Sequence, residues 1–128
     1  MSHFTKLKTK LHCLRTTEKS LKDMGFKVDK SRDQVRGFGS QRRFANLVVD
    51  TGSGLDIGFV ETDDGIEIFA DWDYIGRRAK INKAEFTKTL KKTYAYNKVL
   101  EEAEKAGFTL VEERNEEGTV CLRVRRWA

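Results

Sequence analysis

Apolar and polar residues alternate in several short segments of this chain, a pattern typical of strands that bury one face. Residues 2–9 alternate in this way, and Leu55, Ile57 and Phe59 share one side of the segment over residues 55–59. The residues at 63–65, Asp-Asp-Gly, predict a tight hairpin turn. The pattern predicts further strands over residues 26–29, 43–49, 66–72, 108–113 and 119–125, and a short one near Val35 within an irregular loop over residues 30–42.

Two other segments place their apolar residues at the spacing of a helix. The first covers residues 14–24, and the second begins near Asn82. Asn82 and Glu85 have the spacing of a capping box, which favours the start of a helix at this point. Both helices are predicted to stop at a Gly-Phe pair, Gly25-Phe26 and Gly107-Phe108, because Gly tolerates the left-handed backbone conformation just past a helix end.

These elements predict one α+β domain over residues 1–128, with the order β-α-β-β-β-β-α-β-β. Alternating strands fit an antiparallel, twisted sheet of about six or seven strands with one covered face. The repeated helix–Gly-Phe–strand junction places two helices on that face. No apolar run approaches the roughly 20 residues that a membrane-spanning helix needs, so we expect no contact with a membrane.

Charged residues are unevenly distributed along the chain. The net charge is +5, but residues 1–50 alone carry +7, whereas residues 101–128 carry −2. The positive excess in the first part would attract a polyanion. Cys13 and Cys121 are too few for a disulfide framework, and they fit a reducing compartment such as the cytosol.

Residues 36–39, Arg-Gly-Phe-Gly, match the opening of the RNA-recognition signature, which is a basic residue, Gly, an aromatic residue and Gly. That signature continues with a second aromatic ring that stacks on a base. Ser40 and Gln41 stand there instead. The segment therefore also fits a simpler interpretation, a glycine-containing loop beside a basic patch.

Basic and aromatic residues provide the candidate contacts for a partner or for phosphates. Two basic clusters occur, one at residues 42–43 and one at residues 77–80. Exposed aromatic residues beside basic clusters are typical of proteins that bind single-stranded nucleic acid, but a solvated loop face is the alternative. The candidate contact residues are Arg36, Phe38, Arg42, Arg43, Trp72, Tyr74, Arg77 and Arg78.

No arrangement of residues in this sequence requires a particular chemistry. Asp71 and Asp73 have the spacing of the first two ligands of a calcium loop, but Ile75 and Asn82 stand where further oxygen ligands are needed. No pair of His and Cys residues has the spacing of zinc ligands. The P-loop, serine-hydrolase and zinc-protease motifs are also missing. We therefore predict no catalytic, cofactor-binding or metal-binding residues.

Several short segments occur along the chain in a characteristic order. They are Met1-Ser-His-Phe4, Val35-Arg36-Gly37, Asp56-Ile-Gly-Phe59, Asp71 near Trp72 and Tyr74, Tyr94-Ala-Tyr96, Gly107-Phe108 and Arg125-Arg126-Trp127. Together they resemble the family called hypothetical chloroplast open reading frame thirty-five, a small domain of unknown function in algal plastids, cyanobacteria and other bacteria. The resemblance implies no activity, cofactor or catalytic residue. The genes of that family often lie beside genes for AAA-type ATPases, which implies an adaptor or accessory role.

The leading prediction is a non-catalytic protein-interaction or adaptor module that binds another protein, such as an AAA-type ATPase, through a sheet edge or an aromatic-basic surface. The first alternative is a module that binds RNA or another single-stranded nucleic acid, and the second is a small enzyme with an unrecognised site. We expect a cytoplasmic protein, or a protein of the plastid stroma if the source is an alga. Exposed strands can pair between chains, so a monomer and a dimer both stay open.

Overall fold

Nine strands and three helices occur in the residues that the computed structural model describes, 4–114 and 120–126. In chain order they are β1 (Thr5–Lys8), α1 (Leu14–Asp23), β2 (Lys27–Val28), β3 (Gln34–Arg36), β4 (Arg42–Phe44), β5 (Leu47–Asp50), β6 (Asp56–Thr62), β7 (Gly65–Ala70), α2 (Trp72–Arg78), α3 (Lys83–Lys105), β8 (Phe108–Arg114) and β9 (Val120–Arg126). The predicted α+β class is confirmed. The chain divides into two compact parts, Met1–Tyr94 and Ala95–Ala128, and one domain over residues 1–128 stays a prediction.

Five of these strands form one antiparallel sheet, in the spatial order β1-β7-β6-β5-β2. Its centre is the β6–β7 hairpin, in which Thr62 pairs with Gly65 across the predicted turn. β1 pairs with β7 at one edge, and β2 pairs with β5 at the other. The sheet is smaller than the predicted six or seven strands, because β3 pairs with β4, and β8 with β9, in separate two-stranded sheets.

Helices cover one face of the main sheet, as predicted from the alternation of its strands. Leu21 of α1, Ile75 of α2 and Leu90 of α3 belong to the same buried cluster as the inward-facing strand residues. Those strand residues include Ile57 and Phe59, which are fully buried. Burial of apolar surface between the two layers is the main source of stability here.

The β3–β4 hairpin covers part of the opposite face, which the sequence predicted to be open. Val35 of β3 is buried in a second cluster with Val48 of β5 and Phe69 of β7. Gly58 of β6 permits this close approach, since a Cβ atom there would clash with Val35 and lie 2.8 Å from Phe69 Cζ. This packing fixes the hairpin, and therefore the loop over residues 37–41, against the sheet.

The segment predicted as one strand over residues 43–49 is divided between β4 and β5. Ala45 N–H donates to the Asp33 carbonyl, whereas Asn46 N–H donates to the Phe59 carbonyl, each at 2.9 Å. The chain thus changes its pairing partner from the β3 side to β6 between these two residues. Arg43 and Asn46 interrupt the apolar residues of this segment without a regular period, so the sequence pattern did not reveal the change.

Both predicted helices are confirmed, with ends close to those expected. Gly25 and Gly107 follow them with φ values of 89° and 82°, and Asn82 Oδ1 accepts the Glu85 N–H at 3.0 Å, as the capping box requires. Helix α2 is additional. The strand predicted over residues 66–72 ends at Ala70, and α2 begins at Trp72, because seven residues are too few to display a helical period.

The last two strands confirm the predicted closing hairpin. β8 and β9 pair in antiparallel fashion, with Phe108 opposite Arg126 and Arg114 opposite Val120. The turn predicted for this hairpin at residues 115–118 lies outside the described residues. The same is true of residues 2–3, which were predicted to begin the first strand, and of Trp127 in the last segment of the family resemblance.

Candidate functional site

The loop between β3 and β4 meets helix α2 through two stacked aromatic rings. Phe38 and Tyr74 lie with their ring centroids 4.3 Å apart and their planes 8° from parallel. Phe38 is nevertheless 41% exposed, so the stack fixes the orientation of a ring that still faces solvent. The sequence offered both residues as candidate contacts, and the structure brings them together.

Two arginines of α2 surround the same stack. The guanidinium carbon of Arg77 lies 4.9 Å from the centroid of the Tyr74 ring, and that of Arg78 lies 5.2 Å from it. Both arginines are exposed, and each is within the distance at which a cation is attracted to an aromatic face. We call Phe38, Tyr74, Arg77 and Arg78 the aromatic–arginine patch.

The loop that carries Phe38 is held in place from both sides. Phe38 N–H donates to Asp71 Oδ2 at 3.3 Å, and Gly37 N–H donates to the Gln41 carbonyl at 3.0 Å. Gly37 lies against the Phe4 ring so closely that a Cβ atom would come within 2.7 Å of Phe4 Cζ. Asp71 directly precedes α2. Its hydrogen bond to Phe38 N–H therefore holds the loop beside the helix that carries the rest of the patch.

The junction between β7 and α2 also contains buried polar atoms. Asp71 Oδ1 and Trp72 Nε1 are buried and have no hydrogen-bond partner among the described residues. The Trp72 ring packs against the core, with its centroid 5.8 Å from that of Phe86. The structure therefore places Trp72, a candidate contact residue, at the core side of α2.

Arg36, another candidate contact residue, belongs to an ion cluster. The carboxylate of Asp56 is fully buried and accepts two guanidinium hydrogen bonds from Arg36 at 2.9 Å and two from Arg32 at 2.8 Å. The Arg36 backbone N–H adds a fifth bond at 2.8 Å. Arg32 also pairs with Asp29 at 2.9 Å, and Arg36 lies 3.4 Å from Asp50. The Arg36 guanidinium is thus bonded to carboxylates of the protein itself, and its side chain is 32% exposed.

The ion cluster shifts the pKa values of its members. Burial would raise the pKa of Asp56, but hydrogen bonds from Arg36 and Arg32 outweigh it and hold this pKa below its usual value. Hydrogen bonds from Ser31 and Arg32 lower the pKa of Asp29 to about 2. The pKa values of both arginines are raised, chiefly by their hydrogen bonds to Asp56. The cluster therefore stays ionised near neutral pH.

The remaining candidates, Arg42 and Arg43, lie on β4 next to the loop. Arg42 Nη1 donates to the carbonyl of Gln41 at 2.7 Å and to that of Gly39 at 3.4 Å, and its side chain is exposed. Arg43 lies over the Phe69 ring, 4.8 Å from its centroid. Arg42 therefore stabilises the tip of the hairpin, while Arg43 covers the second buried cluster.

Sequence analysis missed Arg32 and Asp56. The alternation of Leu55, Ile57 and Phe59 puts Asp56 on the other side of its strand, which the pattern predicts to face solvent. Asp56 is buried because the β3–β4 hairpin covers that side, and a buried carboxylate then requires a cationic partner. The sequence did not say which of the 25 Lys and Arg residues would supply it.

The described residues contain no group of three or more His, Cys, Asp or Glu side chains placed to hold a metal ion. Asp71 and Asp73, which have the spacing of calcium ligands, differ in their environment, because Asp71 is buried and Asp73 is exposed.

Among the residues that the structure describes, no helix combines the length and apolar character needed to cross a bilayer.

A protein-family comparison matches residues 20–123 with the family described as Protein of unknown function (DUF1257). The chain belongs to this family. Proteins named Uncharacterized protein ycf35 from Guillardia theta, Cyanophora paradoxa and Pyropia yezoensis are 34%, 27% and 25% identical over 128 residues, covering 99% of this chain and 98% of each relative. These relatives confirm the family resemblance in the sequence. No solved structure matches the chain.

Proposed function

We propose that this DUF1257 protein is a non-catalytic module that binds another protein through the aromatic–arginine patch. The supporting observation is the stack of the exposed Phe38 on Tyr74 with Arg77 and Arg78 beside it. Aromatic residues and arginine are enriched at protein interfaces and dominate their binding energy. The patch is also preorganised, because Asp71 holds the Phe38 loop, and a preorganised surface loses less conformational entropy on binding.

The chemistry of the patch favours an acidic partner segment that also carries an apolar side chain. Arg77 and Arg78 are exposed cations whose guanidinium groups suit carboxylates. The open face of Phe38 would pack against the apolar side chain. The gene neighbours implied by the family resemblance make an AAA-type ATPase the first partner to test. We place this adaptor role in the cytoplasm, or in the plastid stroma if the source is an alga.

A module that binds single-stranded nucleic acid is the second candidate function. An exposed ring beside arginines can stack on a base while the arginines contact phosphates. This candidate is weaker because Arg36 is hydrogen-bonded to Asp56 and Arg43 lies over Phe69. Affinity for nucleic acid rises with the number of cations that reach phosphates, and these two arginines are engaged elsewhere.

Co-purification from the source organism tests the proposed function. The tagged full chain should recover a defined polypeptide that survives nuclease treatment. Phe38→Ala, and separately Arg77→Glu with Arg78→Glu, should reduce its recovery about tenfold or more, as expected for interface hot spots. The matched control is Phe44→Ala, which removes a ring that is 55% exposed on β4 and lies outside the patch. Recovery of nuclease-sensitive material alone would favour the second candidate, and equal recovery by all variants would contradict both.

A further inference from the structure

β1 is an edge strand, and no strand in the described part of the chain pairs with its outer side. Thr9 N–H donates to the Ile66 carbonyl at 3.2 Å, so Thr9 and Ile66 form a hydrogen-bonded pair. Hydrogen-bonded and non-hydrogen-bonded pairs alternate along an antiparallel ladder, so Leu7 and Ile68, two residues further along each strand, form the next hydrogen-bonded pair. The backbone N–H and C=O groups of Leu7 therefore point toward β7, and those of Lys6 and Lys8 point outward, where another strand can reach them.

A groove of about 640 Å³ lies beside this strand, between Leu7 and the first turns of α3. Leu7 and Ala84 supply apolar surface, and Lys83, Lys88 and Lys91 supply positive charge. None of the described lining residues is acidic. None of these three lysines forms an ion pair with a side chain in the described part of the structure. The groove thus has an apolar wall and an uncompensated positive rim.

We propose that the groove and the outer edge of β1 bind an extended acidic segment of a partner protein by strand addition. The backbone of that segment pairs with the outward N–H and C=O groups of Lys6 and Lys8. Side chains alternate along an extended strand, so every second residue enters the groove over Leu7. The acidic residues lie against the lysines of α3 and β1, and this charge complementarity selects the occupant.

Edge lysines have a common structural role, which is to prevent strands of different chains from pairing. That role accounts for Lys6 and Lys8, which are exposed. It does not account for an apolar-walled groove beside the edge or for three further lysines on a neighbouring helix. The surface shares no residue with the aromatic–arginine patch, so this proposal holds or fails independently of the proposed function.

Fluorescence anisotropy with a labelled short peptide of repeating Glu-Glu-Val-Val, which carries both Glu and Val on each face of an extended strand, tests the charge requirement on the full chain. We expect saturable binding that weakens as ionic strength rises. Lys88→Glu with Lys91→Glu should weaken binding about tenfold or more. The matched control is Lys92→Glu, which reverses an exposed charge on the same helix outside the groove lining and should change affinity less than about twofold. Phe38→Ala should have no effect.

Amide hydrogen exchange measured by NMR tests the strand addition itself. When the peptide binds, the amide protons of Lys6 and Lys8 should exchange at least about tenfold more slowly, because they become hydrogen-bonded. Lys6→Pro removes one outward N–H without removing a ladder bond, and it should weaken binding more than Lys6→Ala does. The proposal is overturned if the peptide binds without protecting these amides, if the charge-reversed Lys-Lys-Val-Val peptide binds equally well, or if only a uridine oligonucleotide binds.

Discussion

Arg36 donates three hydrogen bonds to Asp56, one from its backbone N–H at 2.8 Å and two from its guanidinium group at 2.9 Å. The donor lies on β3 and the acceptor on β6, so the bonds join the covering hairpin to the main sheet. The same hairpin carries Phe38 in its loop. Arg36 therefore serves the aromatic–arginine patch by fixing the position of the hairpin, and its guanidinium is engaged with Asp56.

Asp56→Asn should lower the free energy of unfolding by about 3 kcal/mol, in the range found when one partner of a buried ion pair is removed. The amide would present N–H groups to the two arginines that now donate to the carboxylate. Urea denaturation followed by circular dichroism measures the change. Asp63→Asn, in the exposed β6–β7 turn, is the control and should stay within about 0.5 kcal/mol of the parent. Equal stability of the two variants would contradict this role of Asp56.

Acid should destabilise the protein between about pH 4, near the pKa of an Asp in an unfolded chain, and about pH 2. The pKa of Asp29 is lowered to about 2, and that of Asp56 is also lowered. Between the folded and unfolded values the unfolded chain binds more protons, so the free energy of unfolding increases with pH. The stabilisation is complete above the unfolded pKa and is lost as the pH falls through the folded one. Urea midpoints across this range should depend less steeply on pH in Asp29→Asn, and identical slopes would refute the assignment.

Two glycine substitutions should have effects of opposite sign. Gly58→Ala places a Cβ atom against Val35 and Phe69 and should cost about 1–3 kcal/mol, as overpacking of a core does. Gly76→Ala lies within α2, where the nearest atom to the new Cβ would be the Ile81 carbonyl oxygen at 3.8 Å. It should stabilise the protein by about 0.5–1 kcal/mol through helix propensity. Thermal unfolding measures both, and a harmless Gly58→Ala would show that the hairpin does not pack as described.

Tyr94 connects α3 to the segment that leads into α1. Its hydroxyl oxygen accepts the N–H groups of Cys13 at 3.1 Å and His12 at 3.4 Å. Tyr94→Phe should therefore cost about 1–2 kcal/mol in denaturant unfolding, because partly buried donors lose their acceptor. Tyr74→Phe is the matched control, since no described residue hydrogen-bonds to that hydroxyl, and it should be close to neutral. A neutral Tyr94→Phe would mean that these two bonds add nothing to stability.

Sequence periodicity was sufficient for the elements that bury a regular face. The alternation at Ile57 and Phe59 and the helical spacing before Gly107 both correspond to elements of the structure. Periodicity was insufficient where pairing partners change. The division of residues 43–49 and the start of α2 at Trp72 depend on which strand or core surface is adjacent, and a one-dimensional pattern does not record adjacency.

The sequence indicated which residues to consider for the candidate site, but it did not indicate how they are arranged. Phe38, Tyr74, Arg77 and Arg78 were candidates because of their chemistry, but their contact depends on the hairpin crossing Gly58. Asp56 is hydrogen-bonded to arginines that lie 20 and 24 positions away in the sequence. Such long-range partners are determined by tertiary packing, so residue type alone could not separate the engaged Arg36 from the exposed Arg77.

Site-specific photo-crosslinking tests the proposed binding surface most directly. The photoreactive residue p-benzoylphenylalanine is placed at position 38 of the full chain in the source organism, and at position 44 as the control on the same hairpin. Both native residues are exposed phenylalanines. The account predicts a nuclease-resistant adduct with one defined protein from position 38 and none from position 44. An equal yield of adducts from the two positions, or adducts with nucleic acid alone, would contradict it.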